Sequence, residues 1–294
     1  MLSYIEPVFR PPSEAYSLIL QVTNGCSWNN CTFCEMYTQE QKKFKARKEE
    51  EVEQDIINAS KMIQPFEKVF LADGDAMVLP MRRLKAILQS IKQHMPWVKR
   101  VSSYCLPRNL KKKSVDDLKE LQALGLDMLY VGCESGDDTV LEKVNKGETY
   151  ETQKDALQKI HAAGLRSSVM ILNGLGGPKL SEQHALNSAR LMNETQPHFL
   201  STLVVSFPLG EDRLKQGFDG DWELMDQHSL FLELKYFIEN LELENTVFRS
   251  DHASNYLPLK GTLGKDKQQM LDQIQMALTQ PEKVRLRQEW QRGL

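Results

Sequence analysis

Apolar runs and amphipathic stretches alternate along the first 245 residues. SLILQVT (17–23) is apolar and β-branched and predicts a strand. EEEVEQDIINASKMI (49–63) carries Val52, Ile56, Ile57 and Ile63 at helical spacing. KVFLADGD (68–75) predicts a strand ending in a Gly-Asp turn, and MRRLKAILQSIKQHM (81–95) a helix stopped by Pro96. RVSSYCLP (100–107) predicts a strand. SVDDLKELQALG (114–125) predicts a helix with Ser114 as N-cap, Asp117 at the capping-box position and Gly125 as the stop. DMLYVGCES (127–135) predicts a fourth strand, followed by helical pieces over 137–147 and 149–164. RSSVMILNGLGG (166–177) runs from a strand into a glycine loop. After it come a helix over 180–196 stopped by Pro197, a strand over 198–208 and a long helix over 222–243.

Six strands alternating with helices imply a parallel sheet with right-handed crossovers. The strands read as nearly continuous apolar runs, as expected when both faces are covered. A doubly wound sheet and a partial (β/α) barrel both fit, and in either one ligands gather at the C-terminal ends of the strands. The unusual residues sit at those ends: Asn24-Gly25-Cys26, Asp73-Gly74-Asp75, Cys133-Glu134-Ser135-Gly136, Asn173 to Gly177, and Ser206-Phe207-Pro208. Residues 1–13 read as an N-terminal segment and 14–245 as the core. Residues 246–294 read as a C-terminal extension packed on that core, too short to hold a core alone.

Charge changes this picture little. The chain has 37 basic and 40 acidic residues, a balance that gives no bulk argument for nucleic acid. The basic run RNLKKKS (108–114) reads as a solvated loop and helix start. No run approaches the ~18 apolar residues of a membrane helix, and no secretory leader opens the sequence, so the expected location is the cytoplasm. Thiols stay reduced there, and clustered cysteines point to metal binding or catalysis before disulfides.

Three of the five cysteines fall within nine residues, as Cys26-x4-Cys31-x2-Cys34 on the loop after the first strand. Structural zinc takes four ligands, and a fourth Cys or His is missing locally. Three thiolates on one loop suit a [4Fe–4S] cluster with one iron left open to a chelating ligand. Zinc, simple redox use and buried small hydrophobes are the competing readings. Cys105 and Cys133 read as core thiols.

These residues carry a resemblance. Over roughly residues 14–245 the chain resembles the radical S-adenosylmethionine (SAM) enzymes. The likeness rests on the cysteine loop with Phe33 before its third cysteine, on ADGDA (72–76) where the superfamily has a Gly-Gly-Glu-Pro turn, and on MILNGLGG (170–177). It rests also on GCESGDDTVLEKVNKG (132–147), which is similar to the branch holding tRNA methylthiotransferases and oxygen-independent coproporphyrinogen oxidases. The chain departs from the usual C-x3-C-x2-C spacing by one residue, and Asp75 replaces the glutamate.

The resemblance implies a partial (β/α)6 TIM-like barrel. It implies a [4Fe–4S] cluster on Cys26, Cys31 and Cys34, with SAM chelating the fourth iron, and reductive cleavage of SAM to a 5′-deoxyadenosyl radical that abstracts hydrogen from a substrate. By family position, Asp73, Gly74 and Asp75 receive the SAM amine, and Glu134 and Ser135 the ribose hydroxyls. Asn173, Gly174 and Gly176, with Phe33, approach adenine. Arg166 is the cation offered for the SAM carboxylate, although a straight strand places it at the opposite end. Each position also has a plainer reading: Glu134 pairing a lysine or capping a helix, the glycines shaping a turn before Pro178, the two aspartates as caps. His252 and Tyr256, in the turn-rich stretch 249–261, are the candidates for proton donation or substrate contact. The implied partners are SAM, an electron donor such as flavodoxin or ferredoxin, and an unidentified small-molecule substrate. An iron–sulfur scaffold or sensor and a zinc-binding module are the alternative functions.

Overall fold

The structure, a computed structural model, describes residues 2–63 and 66–293. Its strands are β1 (Leu18–Gln21), β2 (Thr23–Asn24), β3 (Lys45–Ala46), β4 (Lys68–Ala72), β5 (Arg100–Cys105), β6 (Leu126–Glu134), β7 (Arg166–Asn173), β8 (Phe199–Val204), β9 (Val247–Ser250) and β10 (Leu259–Thr262). Its α-helices are α1 (Glu49–Ala59), α2 (Met81–His94), α3 (Val115–Ala123), α4 (Asp138–Lys143), α5 (Tyr150–Ala162), α6 (Gly177–Thr195), α7 (Asp212–Gly217), α8 (Gln227–Glu239) and α9 (Lys267–Thr279).

Eight strands form one sheet in the order β1-β4-β5-β6-β7-β8-β9-β10. The order runs with the chain and never reverses, which decides for the partial-barrel topology over the doubly wound one. Pairs β1/β4, β4/β5, β5/β6, β7/β8 and β8/β9 are parallel, and β9/β10 is antiparallel. The six expected strands are β1, β4, β5, β6, β7 and β8. In β6 every residue but Asp127 and Gly132 is buried, as a strand covered on both faces should be.

Several differences have local causes. The stretch 246–264 yields β9 and β10, too short and polar to announce themselves. The helix expected over 222–243 starts only at Gln227, because Asp226 caps it by accepting the Ser229 amide at 2.7 Å. Helix α6 begins at Gly177-Pro178, where proline costs no hydrogen bond in the first turn. After Pro281 the chain makes 3-10 turns over Pro281–Lys283 and Glu289–Gln291. Around α3 the expected box is present: the Ser114 hydroxyl accepts the Asp117 amide at 3.0 Å, and the Asp117 carboxylate accepts the Ser114 amide at 2.8 Å.

The chain divides into two compact units. Residues 1–29, 34–131 and 155–167 form the first; residues 30–33, 132–154 and 168–294 form the second. The first buries Leu20, Val69, Leu71 and Val101 on its strands and Ile56, Leu84, Leu88 and Leu118 on its helices. Phe70, Tyr104 and Tyr130 meet edge to face in it, with centroids 5.0–6.2 Å apart. The second centres on Val140, Val144, Leu172, Leu175, Val205, Leu214, Phe218 and Trp222.

Candidate functional site

In the first unit the cysteine loop leaves and returns through a closed neck. Strands β2 and β3 pair antiparallel, Thr23 with Ala46 and Asn24 with Lys45. The Asn24 amide donates to the carbonyls of Gln41 and Lys43 at 2.6 and 3.0 Å. Gly25 sits at φ 67°, and a Cβ there would lie 2.0 Å from the Lys42 carbonyl, so only glycine closes this crossing.

Two buried carboxylates hold the loop. Asp73, which follows β4, accepts Lys42 Nζ, the Tyr37 hydroxyl at 2.8 Å and the Gln21 amide at 3.3 Å. Lys42 Nζ also donates to the Ile5 carbonyl at 3.0 Å. Lys42 and Asp73 are both fully buried, and their pairing with several hydrogen bonds is what such burial requires. Asp75 accepts the Ser27 amide at 2.8 Å, the Ser27 hydroxyl and the Asn109 amide at 3.1 Å. Burial raises the pKa of Asp75 against these hydrogen bonds. Burial, with Asp75 second, also pushes the Cys26 thiol up.

Between the two aspartates, Gly74 lies against the turn at Cys26. A Cβ on Gly74 would stand 2.7 Å from the Gly25 carbonyl oxygen and 2.8 Å from Cys26 Cα. All of those are backbone or near-backbone atoms that cannot swing aside. Gly74→Ala is therefore expected to displace the Cys26 turn. Its cost is that of overpacking, about 1–3 kcal/mol, read as a lower melting temperature together with reduced iron uptake during reconstitution.

In the second unit the loop residues 30–33 rest on other elements. The Thr32 amide donates to the Val144 carbonyl at 3.0 Å, and Arg213 donates to the Cys31 carbonyl at 3.1 Å. Phe33 packs on the core formed by Val140, Val144 and Leu172. Glu134 closes β6 at φ 66° and receives Lys146 Nζ at 3.1 Å. Gly132 makes room for this pair, since a Cβ there would stand 2.1 Å from Glu134 Oε1. Lys146 lies 5.7 Å from the centroid of the Phe33 ring. Burial works against the Lys146 cation, but Glu134 and the sulfurs of Cys31 and Cys133 outweigh it and hold its pKa above the ordinary lysine value.

The neighbouring strand ends are equally committed. The Ser135 carbonyl accepts the Gln153 amide at 3.1 Å. Asn173 donates to the Leu230 carbonyl at 3.0 Å, and Gly174, at φ 83°, donates its amide to Glu233 at 2.6 Å. Trp222 donates to the Leu175 carbonyl at 3.1 Å and crowds Gly177, where a Cβ would lie 3.0 Å from the indole.

Against this geometry, the family model of the Radical SAM superfamily matches residues 20–192, more than half of the chain. The chain belongs to the radical SAM superfamily. It is similar to 4'-phospho-dehydrooxetanocin synthase of Priestia megaterium, with 27% identity over 168 residues, covering 51% of this chain and 22% of that protein. It is similar to the heme chaperone HemW of Bacillus subtilis (strain 168), with 24% identity over 158 residues, covering 52% of this chain and 41% of that one. The chain thus spans less than half the length of either relative. In fold it resembles coproporphyrinogen III oxidase (HemN) from Escherichia coli, with a TM-score of 0.59 at 17% identity over 76% of this chain and 51% of the other.

Proteins of this superfamily use a [4Fe–4S] cluster and SAM. The donor set of this chain fits the cluster. All five cysteines are reduced thiols; Cys26, Cys31 and Cys34 are half-buried, whereas Cys105 and Cys133 are buried. Among the described residues no three His, Cys, Asp or Glu side chains are gathered as a single-ion site. Among them, too, no helix is long and apolar enough to cross a membrane.

The expected site residues divide. Gly74 and Asp75 lie against Cys26 and Ser27, whereas Asp73 is anchored by Lys42, Tyr37 and Gln21, so both carboxylates are engaged by protein donors. Glu134 pairs a lysine, and Ser135, Asn173 and Gly174 are tied to α6 and α8. Arg166 is not brought to the strand ends that carry these groups: it opens β7 and forms an ion pair with Asp127, which stands at the start of β6. His252 and Tyr256 are engaged by the C-terminal tail. Arg287 donates to the His252 carbonyl, and burial and the Arg287 charge lower the His252 pKa. Tyr256 donates to Glu289, lies 3.7 Å under the Arg292 guanidinium, and has its pKa raised to about 12 by burial and by Glu289. Lys42, Asn109, Lys146, His184 and Glu233 escaped the sequence reading. Only Lys146 had a usable signal, as the basic residue of VNKG within the segment already singled out.

Proposed function

We propose that Cys26, Cys31 and Cys34 hold a [4Fe–4S] cluster, and that the enzyme cleaves SAM reductively and passes the radical to a small-molecule substrate. When bound, the cluster and SAM supply a 5′-deoxyadenosyl radical that abstracts hydrogen from that substrate. The observation that carries this reading is the neck-closed loop with three half-buried reduced thiols and Gly74 seated on the Cys26 turn.

The chain's own residues prepare and recognise. Asp75 clamps Ser27 and so orients Cys26; Asp73 anchors the loop through Lys42. Their carboxylates being occupied, the backbone from Asp73 to Asp75 is what remains to accept the SAM amine. Glu134 and Ser135 take the ribose hydroxyls, while Phe33 and the backbone at Asn173, Gly174 and Gly176 approach adenine, where glycine removes the Cβ. Lys146 replaces Arg166 as the cation for the SAM carboxylate. It is buried, held charged, and has three donors, of which Glu134 uses one. His252 and Tyr256 remain candidates for substrate contact. We place the enzyme in the cytoplasm with flavodoxin or ferredoxin as electron donor, and read 14–245 as its catalytic core between an N-terminal segment (1–13) and a C-terminal extension (246–294).

Anaerobic protein, reconstituted with iron and sulfide and reduced with SAM present, is expected to release 5′-deoxyadenosine and methionine, measured by chromatography and mass spectrometry. A four-iron cluster that forms but yields no SAM fragment would overturn the reading in favour of a scaffold or sensor.

A further inference from the structure

Two strand-end segments in the second unit are joined by side chains from helices that lie far along the chain. His184 on α6 and Glu233 on α8 are 1% and 2% exposed. His184 Nε2 lies 3.0 Å from the Leu172 carbonyl and Nδ1 lies 2.8 Å from the Ser135 hydroxyl. A carbonyl only accepts, so Nε2 carries a proton, while Nδ1 shares a hydrogen bond with the Ser135 hydroxyl. The Ser135 oxygen also accepts the Asp137 amide, at 2.9 Å. Glu233 Oε1 stands 3.8 Å from His184 Nε2 and takes the Gly174 amide at 2.6 Å. One imidazole and one carboxyl group thus hold the end of β6 and the end of β7 together, with no solvent to compete for the hydrogen bonds.

We propose that His184 and Glu233 are positioning residues that yoke Ser135 to the Leu172–Gly177 segment and so preform the surface that receives the nucleoside part of SAM. The inference rests on the assignment of Ser135 and Asn173–Gly176 to SAM made above. Neither side chain reaches the cofactor in this role; each removes conformational freedom from backbone that does, which lowers the cost of binding. Glu233 acts through an acceptor oxygen, which glutamine also supplies and leucine does not.

The test has two arms on the full chain. In the first, hydrogen–deuterium exchange is compared between wild type and His184→Gln without SAM. Residues 134–137 and 172–177 should exchange faster together while the remaining core is unchanged. Faster exchange in only one segment, or throughout the chain, overturns the yoke. In the second, SAM affinity is measured by equilibrium dialysis on reconstituted protein of equal iron content. Glu233→Leu should bind at least tenfold more weakly, Glu233→Gln within about threefold of wild type. Equal affinity for wild type and Glu233→Leu overturns the proposal even where SAM is bound and cleaved. Absence of SAM binding by cluster-loaded wild type sinks the underlying assignment instead, whatever the exchange arm shows.

Discussion

Replacing Cys31 with alanine is expected to reduce cluster content to background and to abolish 5′-deoxyadenosine formation. Cluster irons are held by thiolate, and a methyl group offers no lone pair. The loop itself should survive, because it is also held at points other than that sulfur. The neck is closed by β2 and β3 and by Asn24, and the Lys42–Asp73 pair anchors it. At the centre of the loop the backbone of Cys31, which alanine retains, accepts Arg213. Iron, sulfide and the reduced-cluster spectrum should disappear while the apo protein keeps its cooperative thermal transition. Cys105→Ala and Cys133→Ala are the controls: both thiols are buried and lie outside the loop, so those variants should lose stability but keep the cluster. A Cys31→Ala protein that still binds a four-iron cluster would remove Cys31 from the ligand set.

Lys146→Met should act on two properties that can be separated. The pair it breaks is buried, with Lys146 4% and Glu134 12% exposed at their side chains. Removing the cation strands the carboxylate, a loss of about 3–5 kcal/mol, visible as a shifted denaturant midpoint. Adding Glu134→Gln to the same chain removes the stranded charge and should recover most of that stability. SAM binding should not recover, since the double variant still lacks the cation and also alters Glu134, placed above at the ribose. Losing one charged hydrogen bond costs about 1.5–3 kcal/mol, or roughly tenfold to a hundredfold in affinity. Arg166→Met breaks the pair with Asp127, which is more than a third exposed, and should leave SAM affinity unchanged. If the double variant bound SAM as wild type does, Lys146 would be a structural lysine and the carboxylate partner would have to be sought elsewhere.

The order of elements was readable because each of the six core strands is an apolar run bounded by turn residues, and because helix periodicity needs no tertiary context. The cysteine loop was readable for a similar reason: Cys26, Cys31 and Cys34 are neighbours in sequence, and their chemistry follows from the thiols themselves. The positions of Asp73, Gly74, Asp75, Glu134 and Gly174 were visible as polar and glycine residues at strand ends, which the parallel topology collects. Their partners were not. Whether Asp73 faces a ligand or Lys42, whether Asp75 faces an amine or Ser27, and whether a buried cation comes from Arg166 or Lys146 depend on side-chain packing. The same holds for His184 and Glu233, which in sequence are one polar residue each on an amphipathic helix and become a bridge only once α6 and α8 are folded against their strands. A hydrogen bond between residues about fifty positions apart leaves no local pattern. Periodicity and motif chemistry thus set the scaffold and the cysteine loop, and the fold alone decided which charges were spent on structure, because side-chain partners far apart in sequence meet only when the elements pack.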